Sequence, residues 1–195
     1  MSIFDLHAYS ADGTEKWVAD LGDGCCTDAS PSIGPGGTIY ACGINPDNCF
    51  AISPSGATLW RFPLQGAEWT PAVGSAGTVF ISSRDAGLYA LEPTGALRWR
   101  YYSGDVFDNP SGSAVVDAAG RLFLRGDFGA LFVVNANGKK GQVIPAPGES
   151  DDSHNFEELN YAIGSDGTLY VPDQHALAAY TGAPGAGARP GSASS

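Results

Sequence analysis

The chain has 195 residues, of which 43% are hydrophobic and 16% are charged, and its formal net charge is -11. This length and apolar content suffice for one packed domain. The acidic balance argues against nucleic acid as a partner, because phosphate binding needs clustered basic residues and only ten Lys and Arg are present. No run of 18 apolar residues occurs, so the sequence predicts no membrane-spanning helix.

Short apolar runs between turn residues predict an all-β chain. No stretch keeps apolar residues at i, i+3, i+4 and i+7 for three helical turns. In chain order, the N-terminal stretch "LHAYSADGTEKWVADL" predicts two strands joined by an Asp-Gly turn. Three full repeat units follow, beginning "SPSIGPGGTIY", "TPAVGSAGTVF" and "PSGSAVVDAAGRLF", and a fourth begins "NYAIGSDGTLY" and then fades.

Landmark residues fix the length of the repeat at roughly 40 residues. Gly37, Gly77, Gly120 and Gly167 precede the same apolar run at spacings of 40, 43 and 47 residues. A second set of glycines is followed four residues later by a tryptophan in three cases. These three pairs are Gly13 and Trp17, Gly56 and Trp60, and Gly95 and Trp99.

Each full unit predicts four short strands, which we name A to D. In the second unit, strand A is predicted near Ala72–Gly74, B at Thr78–Ser82, C at Leu88–Glu92 and D at Ala96–Tyr101. The A–B and C–D turns are rich in Gly, Asp and Asn, which supply the positive φ values that tight hairpins require. A four-stranded meander repeated at this length is typical of a β-propeller blade.

The motifs "GSDGTLYV", "GLYALEPTGALRW" and "FAISPSGATLW" resemble the repeats of the PQQ-like (quinoprotein-type) β-propeller family. The resemblance covers about residues 5 to 182 and implies a ring of seven or eight blades, of which this chain would hold four to five. The predicted division is a partial blade at 1–20, full blades at 30–69, 70–109 and 110–158, a partial blade at 159–182, and a disordered tail at 183–195. The alternative is a small ring in which the N-terminal strands C and D complete a blade begun by the last strands A and B. An incomplete ring would expose sheet edges and self-associate.

The repeated tryptophans are predicted to pack between blades rather than to bind a ligand. Ala8, Ala51 and Ala90 each precede a tryptophan by nine residues, where a small side chain leaves room for an indole.

We call the side of the propeller that carries the D-to-A and B-to-C connections the loop face. These connections contain fourteen of the 21 carboxylates and one clear basic residue, Arg84. The segment 148–159 is the longest of them, and it lacks the regular spacing of a calcium loop. The loop face is predicted to bind a basic protein partner, a cation or another small ligand. The candidate binding residues are Trp69, Arg84, Asp85, Phe107, Asp108, Asp127, Phe128, Asp151, Asp152, Phe156, Glu157 and Glu158.

Four cysteines are predicted to form a structural disulfide. Cys25 and Cys26 are adjacent in a loop-face connection, and Cys42 and Cys49 flank a B-to-C loop. A Cys42–Cys49 bond, a vicinal bond and links between the two pairs all remain open, and free thiols are the alternative to a disulfide. The spacings do not match the C-x2-C pattern of zinc sites.

No nucleophile elbow, zinc-protease motif or phosphate-binding loop is present, so the sequence predicts a non-enzymatic binding or scaffold module without a cofactor. The cysteines favour an oxidising compartment, periplasmic or extracellular, although the first residues lack the features of a signal peptide. The resemblance leaves one enzymatic alternative, a fragment of a quinone-dependent dehydrogenase with PQQ and calcium, because such enzymes carry adjacent cysteines against the quinone. Here "TDASPSIG" follows the pair where those enzymes have Asn-Arg-Gly. A carbohydrate-binding propeller, with Trp69, Phe107 or Phe156 as sugar platforms, is a second alternative.

Overall fold

The computed structural model describes residues 5–22, 29–43, 47–67, 69–85, 87–103, 110–126, 130–144, 161–172 and 177–180. Within these ranges the chain forms seventeen β-strands in five antiparallel sheets, together with one 3-10 turn at Pro35–Gly37. The predicted all-β architecture of four-stranded antiparallel sheets is therefore confirmed.

The strands follow the repeat in chain order. The N-terminal hairpin pairs β1 (Asp5–Tyr9) with β2 (Glu15–Asp20). The first full sheet contains β3 (Ser32–Ile33), β4 (Ile39–Gly43), β5 (Asn48–Ile52) and β6 (Thr58–Pro63). The second contains β7 (Ala72–Val73), β8 (Val79–Ser83), β9 (Gly87–Leu91) and β10 (Leu97–Tyr102). The third contains β11 (Pro110–Val116), β12 (Leu122–Gly126), β13 (Leu131–Val134) and β14 (Lys140–Ile144). The last contains β15 (Ala162–Ile163), β16 (Leu169–Pro172) and β17 (Leu177–Tyr180).

Each sheet is a meander in which neighbours in sequence are neighbours in space. In the second sheet, every strand boundary lies within one residue of the prediction. The small-ring alternative is wrong for the described residues, because β1 and β2 form a sheet of their own and β16 pairs with β15 and β17.

The core lies between consecutive sheets. Strands β5, β8, β9 and β12 are buried along their whole length, as expected for blade strands covered on both sides. We call the side of a sheet that faces the next sheet along the chain its front, and the opposite side its rear. Between the first and second sheets, Tyr40 and Cys49 of the front pack with Ile81 and Leu91 of the rear. The same arrangement recurs at the following two interfaces.

Tryptophans join the N-terminal hairpin and the first two four-stranded sheets to the sheet that follows each of them, as the sequence predicts. The indole nitrogen of Trp60 donates a hydrogen bond of 2.9 Å to the carbonyl oxygen of Pro93 in the next C–D turn. Its ring lies against Gly95, where an added Cβ would be 2.7 Å from the indole. Equivalent hydrogen bonds join Trp17 to Pro54 and Trp99 to Ala136. Gly95 is therefore required both for its φ of 86° and for this close approach.

A second set of hydrogen bonds joins the inner strands. The backbone N–H of Ser30 donates to the hydroxyl of Thr70, and the N–H of Thr70 donates to the hydroxyl of Ser113, at 3.0 and 3.1 Å. These residues occupy the same place in three successive units, just before strand A or within its first half. The hydroxyl groups therefore link the inner ends of neighbouring sheets near the axis.

Candidate functional site: the loop face and the inner groove

Three of the predicted binding residues lie in the described part of the chain. Trp69 is half-buried, Arg84 is exposed and Asp85 is partly buried. The other predicted residues lie outside the described residues: Phe107, Asp108, Asp127, Phe128, Asp151, Asp152, Phe156, Glu157, Glu158, Cys25 and Cys26. For these, the binding role remains a prediction.

Asp85 organises the B–C turn of the second sheet. One of its carboxylate oxygens accepts hydrogen bonds from the Tyr89 hydroxyl at 2.5 Å and from the Arg100 guanidinium at 2.9 Å. The other accepts the backbone N–H of Gly87 at 3.2 Å. A carboxylate with three donors from two strands fixes the turn that leads from β8 to β9.

Arg100 is held between two aromatic rings. Its guanidinium carbon lies 4.9 Å from the centre of the Tyr89 ring and 5.3 Å from that of Tyr102. Tyr89 also packs edge-to-face on Phe62 of the preceding sheet, with 6.0 Å between ring centres. The contacts among Asp85, Tyr89 and Arg100 therefore extend from the loop face into the interface between the first and second sheets.

The same turn is tied to the preceding D-to-A connection. The Ser83 hydroxyl donates to the carbonyl oxygen of Gln65, and the backbone N–H of Arg84 donates to that of Gly66 at 3.2 Å. Gly66 has a φ of 62°, and an added Cβ would be 2.5 Å from the Cβ of Arg84. Two neighbouring loop-face connections are thus locked together, and the aliphatic part of the exposed Arg84 side chain lies along Gly66.

Tyr89 provides a titratable probe of this network. Burial, together with the hydrogen bond to Asp85 and the negative charge of Asp85, raises the pKa of Tyr89 to about 12. A tyrosine with a raised pKa stabilises the fold fully below the unfolded pKa of about 10, and this contribution is lost as pH rises through the folded value. We therefore expect the free energy of unfolding to fall between about pH 10 and 12.

Asp85→Asn should lower the pKa of Tyr89, because the substitution removes the nearby negative charge. Tyrosinate absorbance as a function of pH measures this change, and Tyr89→Phe identifies the component that belongs to Tyr89. An unchanged titration of Tyr89 in the Asp85→Asn variant would show that the hydrogen bond does not form.

The structure resolves one of the cysteine pairings that the sequence leaves open. Cys42 and Cys49 are directly opposite each other on β4 and β5 and form a disulfide, with 4.1 Å between their Cα atoms. Each cysteine is 1% exposed and packs in the interface between the first and second sheets. The predicted structural disulfide is thus present, and it closes the B–C hairpin at the loop face.

Loss of this disulfide should cost about 2–3 kcal/mol, the loop-closure value for a ring of eight residues. In urea unfolding, the free energy of unfolding of the Cys42→Ala, Cys49→Ala double variant should be lower than that of the parent by this amount. A reductant should destabilise the parent and leave the double variant unchanged. Four free thiols in the denatured, unreduced protein would rule out the bond.

One buried cation was missed by the sequence analysis. Arg125 lies at the loop-face end of β12, is 6% exposed, and donates a hydrogen bond of 3.4 Å to the carbonyl oxygen of Pro172 in the last sheet. Tyr161 is buried beside it, and burial raises the pKa of its hydroxyl. Only the sheet packing places this arginine between the third and last sheets, since its position within a strand does not reveal which side it faces.

The inner strands line a groove along the axis. It has a volume of about 480 Å³ and is lined by β3, β7, β15 and part of β11. Small and branched apolar residues predominate, among them Ile33, Val73, Val115 and Ile163, with Tyr161 on one side. The groove is open to solvent and its accessible lining is at least as polar as it is apolar, so it does not have the character of an enclosed apolar ligand pocket.

The repeats also match a family model. The model, described as Outer membrane protein assembly factor BamB, matches residues 48–144. The BamB protein of Burkholderia pseudomallei (strain K96243) is 28% identical over 126 residues, which are 63% of this chain and 32% of that protein. Residues 48–144 therefore carry repeats of the PQQ-like β-propeller family.

Solved propeller structures from more than one protein family have the same fold as this chain. The crystal structure of BamB from Moraxella catarrhalis has a TM-score of 0.59 at 22% identity and covers 85% of this chain. A streptogramin B lyase structure has a TM-score of 0.71 at 16% identity and covers 91% of the chain. The chain spans 51% of the BamB structure and 58% of the lyase structure, so its sheets correspond to a part of each of those propellers. Likenesses at these identities show the fold alone.

The described residues do not fit a quinone site with calcium. They contain no group of three or more His, Cys, Asp or Glu side chains that could hold a metal ion, and Cys25 and Cys26 lie outside them. Among the same residues, no helix is long and apolar enough to cross a membrane.

Proposed function

We propose that this PQQ-like repeat propeller is a non-enzymatic scaffold that binds a protein partner through its loop face. The observation that carries the proposal is the locked turn at Asp85, which holds Arg84 on a fixed backbone between two loop-face connections. A surface that is rigid before binding loses little conformational entropy when a partner docks.

The similarity to BamB favours a partner in outer-membrane protein assembly, because that is the role stated in the name of the matched relative. The acidic composition of the loop-face connections would favour a basic surface on this partner. Such binding weakens as salt rises, because screening shortens the range of the attraction. The same surface and the disulfide are consistent with work in an oxidising compartment.

Site-specific photo-crosslinking tests the proposal. The chain, exported to the periplasm of a Gram-negative strain that lacks BamB, would carry benzoylphenylalanine in place of either Arg84 or Asn137. Asn137 is the matched control because it is exposed in a C–D turn on the opposite side. We expect salt-sensitive crosslinks to a protein of the outer-membrane assembly machinery from position 84 alone. Crosslinks that are absent from both positions, or equal from both, would contradict the proposal.

A further inference from the structure

One C–D turn contains the residue pair in which asparagine deamidates most readily. The chain has one Asn-Gly dipeptide, Asn137–Gly138, in the turn between β13 and β14. The backbone nitrogen of Gly138 can attack the side-chain carbonyl carbon of Asn137, because glycine has no side chain that hinders closure of the ring. Asn137 is exposed, so water reaches its side chain.

The reaction at such a pair consumes only water. A bond forms between the glycine nitrogen and the side-chain carbon of the asparagine, and the bond from that carbon to its amino group breaks. The amino group leaves as ammonia with the proton that the glycine nitrogen gives up. Water then opens the cyclic imide on either side, which yields aspartate or isoaspartate.

The folded turn prepares the electrophile. The side-chain oxygen Oδ1 of Asn137 accepts a hydrogen bond of 3.1 Å from the backbone N–H of Lys139. This donor stabilises the negative charge that the oxygen acquires when the carbon is attacked. The geometry of the side chain therefore favours the reaction, and any protection must come from the nucleophile.

The nucleophile is held by two restraints. The N–H of Gly138 donates a hydrogen bond of 2.8 Å to the carbonyl oxygen of Asn135, which must break before the nitrogen loses its proton. Gly138 has a φ of 78° and lies so close to Trp99 that an added Cβ would be 2.6 Å from the indole. The indole nitrogen of Trp99 also donates to the carbonyl oxygen of Ala136 at 3.1 Å. Trp99 thus contacts the residues on both sides of Asn137 and opposes the backbone rotation that ring closure requires.

The N-terminal hairpin shows which product the turn accepts. Asp12 occupies the place of Asn137 in its C–D turn, and its Oδ1 accepts the N–H of Thr14 at 3.0 Å. This is the hydrogen bond that Asn137 makes with Lys139, so an aspartate at position 137 keeps the turn intact. Isoaspartate differs because it adds a carbon to the main chain immediately before Gly138. The lengthened turn displaces Gly138 from its place against the indole.

We propose that Asn137 is a deamidation site protected by the docking of Trp99, and that its isoaspartate product prevents the second and third sheets from docking again. The modification then takes place when the two sheets separate locally, and it makes that separation permanent. The C–D turns lie on the side opposite the loop face, so the inference does not rest on the scaffold function.

Peptide mapping by mass spectrometry measures the modification on the whole chain. Trypsin releases residues 126–139, and fragmentation of this peptide distinguishes Asn137 from Asn135. We expect Asn137 to be modified at least about tenfold more slowly in the folded protein than in guanidinium chloride, because the sheets must first separate. Equal rates in the folded and unfolded chain would overturn the proposal, and so would an unfolded chain that is not modified.

Two tryptophan variants distinguish local separation from global unfolding. Trp99→Phe removes the hydrogen bond to Ala136, so the rate of modification in the folded protein should rise about fivefold. Trp60→Phe is the matched control, since it removes the equivalent hydrogen bond to Pro93 and leaves the turn at Asn137 covered. Its rate should equal that of the parent, and equal acceleration in both variants would overturn the proposal.

The two products are compared through the indole of Trp99. Asn137→Asp reproduces the aspartate product, and Asn137→Ser introduces the residue of the equivalent turn at Ser55, which cannot deamidate. Both variants should retain the slow exchange of the Trp99 indole N–H. The isoaspartate form, separated from aged protein by chromatography, should lose this protection. An isoaspartate form that exchanges as slowly as the parent would contradict the proposal.

Discussion

Gly95→Ala should destabilise the protein far more than Gly13→Ala, although both glycines occupy the same place in a C–D turn. Their φ values are 86° and 84°, so the backbone strain of an alanine, about 1–2 kcal/mol, is common to both. An added Cβ at Gly95 would lie 2.7 Å from the Trp60 indole. A Cβ added at Gly13 would have no atom within 4 Å apart from those of its neighbours in the chain. Overpacking of this kind typically costs a further 1–3 kcal/mol or so. Urea unfolding of the two variants measures the difference directly.

The double variant Trp60→Ala, Gly95→Ala tests the cause of that difference. Without the indole, the cost of Gly95→Ala should fall to the value measured at Gly13, because only backbone strain remains. Equal costs at Gly13 and Gly95 in the parent protein would show that the tryptophan does not lie against the turn.

Trp60→Ala should destabilise the protein by about 3–5 kcal/mol. The substitution removes the ring that covers Gly95, its contact with Tyr40 at 5.8 Å between ring centres, and the hydrogen bond to the Pro93 carbonyl. Trp60→Phe retains most of the apolar contact and loses the hydrogen-bond donor, so it should destabilise the protein less than Trp60→Ala does.

Leu59→Ala is the matched control for this experiment. Leu59 is the neighbour of Trp60 on the same strand and is 55% exposed, so its truncation should change stability by about 0.5 kcal/mol or less. A Trp60→Ala variant as stable as Leu59→Ala would contradict the role of the tryptophan as the link between sheets.

Local signals account for the parts of the fold that the sequence predicts. The pattern of a turn glycine followed four residues later by a tryptophan lies within one short stretch of sequence. Because it recurs along the chain, it can be recognised from the sequence without knowledge of the fold. Strand boundaries in the second sheet follow from these turns, as the agreement within one residue shows. The sequence predicts Gly95 only as the positive-φ residue of a tight turn. Its contact with Trp60 belongs to the preceding sheet and could be recognised only after the stacking of sheets was known.

Contacts between strands account for what the sequence left open. Cys42 and Cys49 pair because the register of β4 and β5 places them opposite each other, and composition alone does not fix a register. Tyr89 and Arg100 are opposite each other on β9 and β10 for the same reason. Counting outward from the C–D turn at Gly95 would have placed those two together. The carboxylate of Asp85, 15 residues from Arg100, could then have been read as their shared partner.

Exchange of the tryptophan indole protons tests the central claim, that the N-terminal hairpin and the first two four-stranded sheets each dock on the next sheet through an indole. In a nitrogen-15 labelled sample, the indole N–H groups of Trp17, Trp60 and Trp99 should exchange with solvent more slowly than in an unfolded chain, because each donates to a carbonyl of the next turn. Trp60→Phe assigns one signal, and Gly95→Ala should accelerate exchange at that same site. Indole protons that all exchange at unfolded-chain rates in the folded protein would contradict the account.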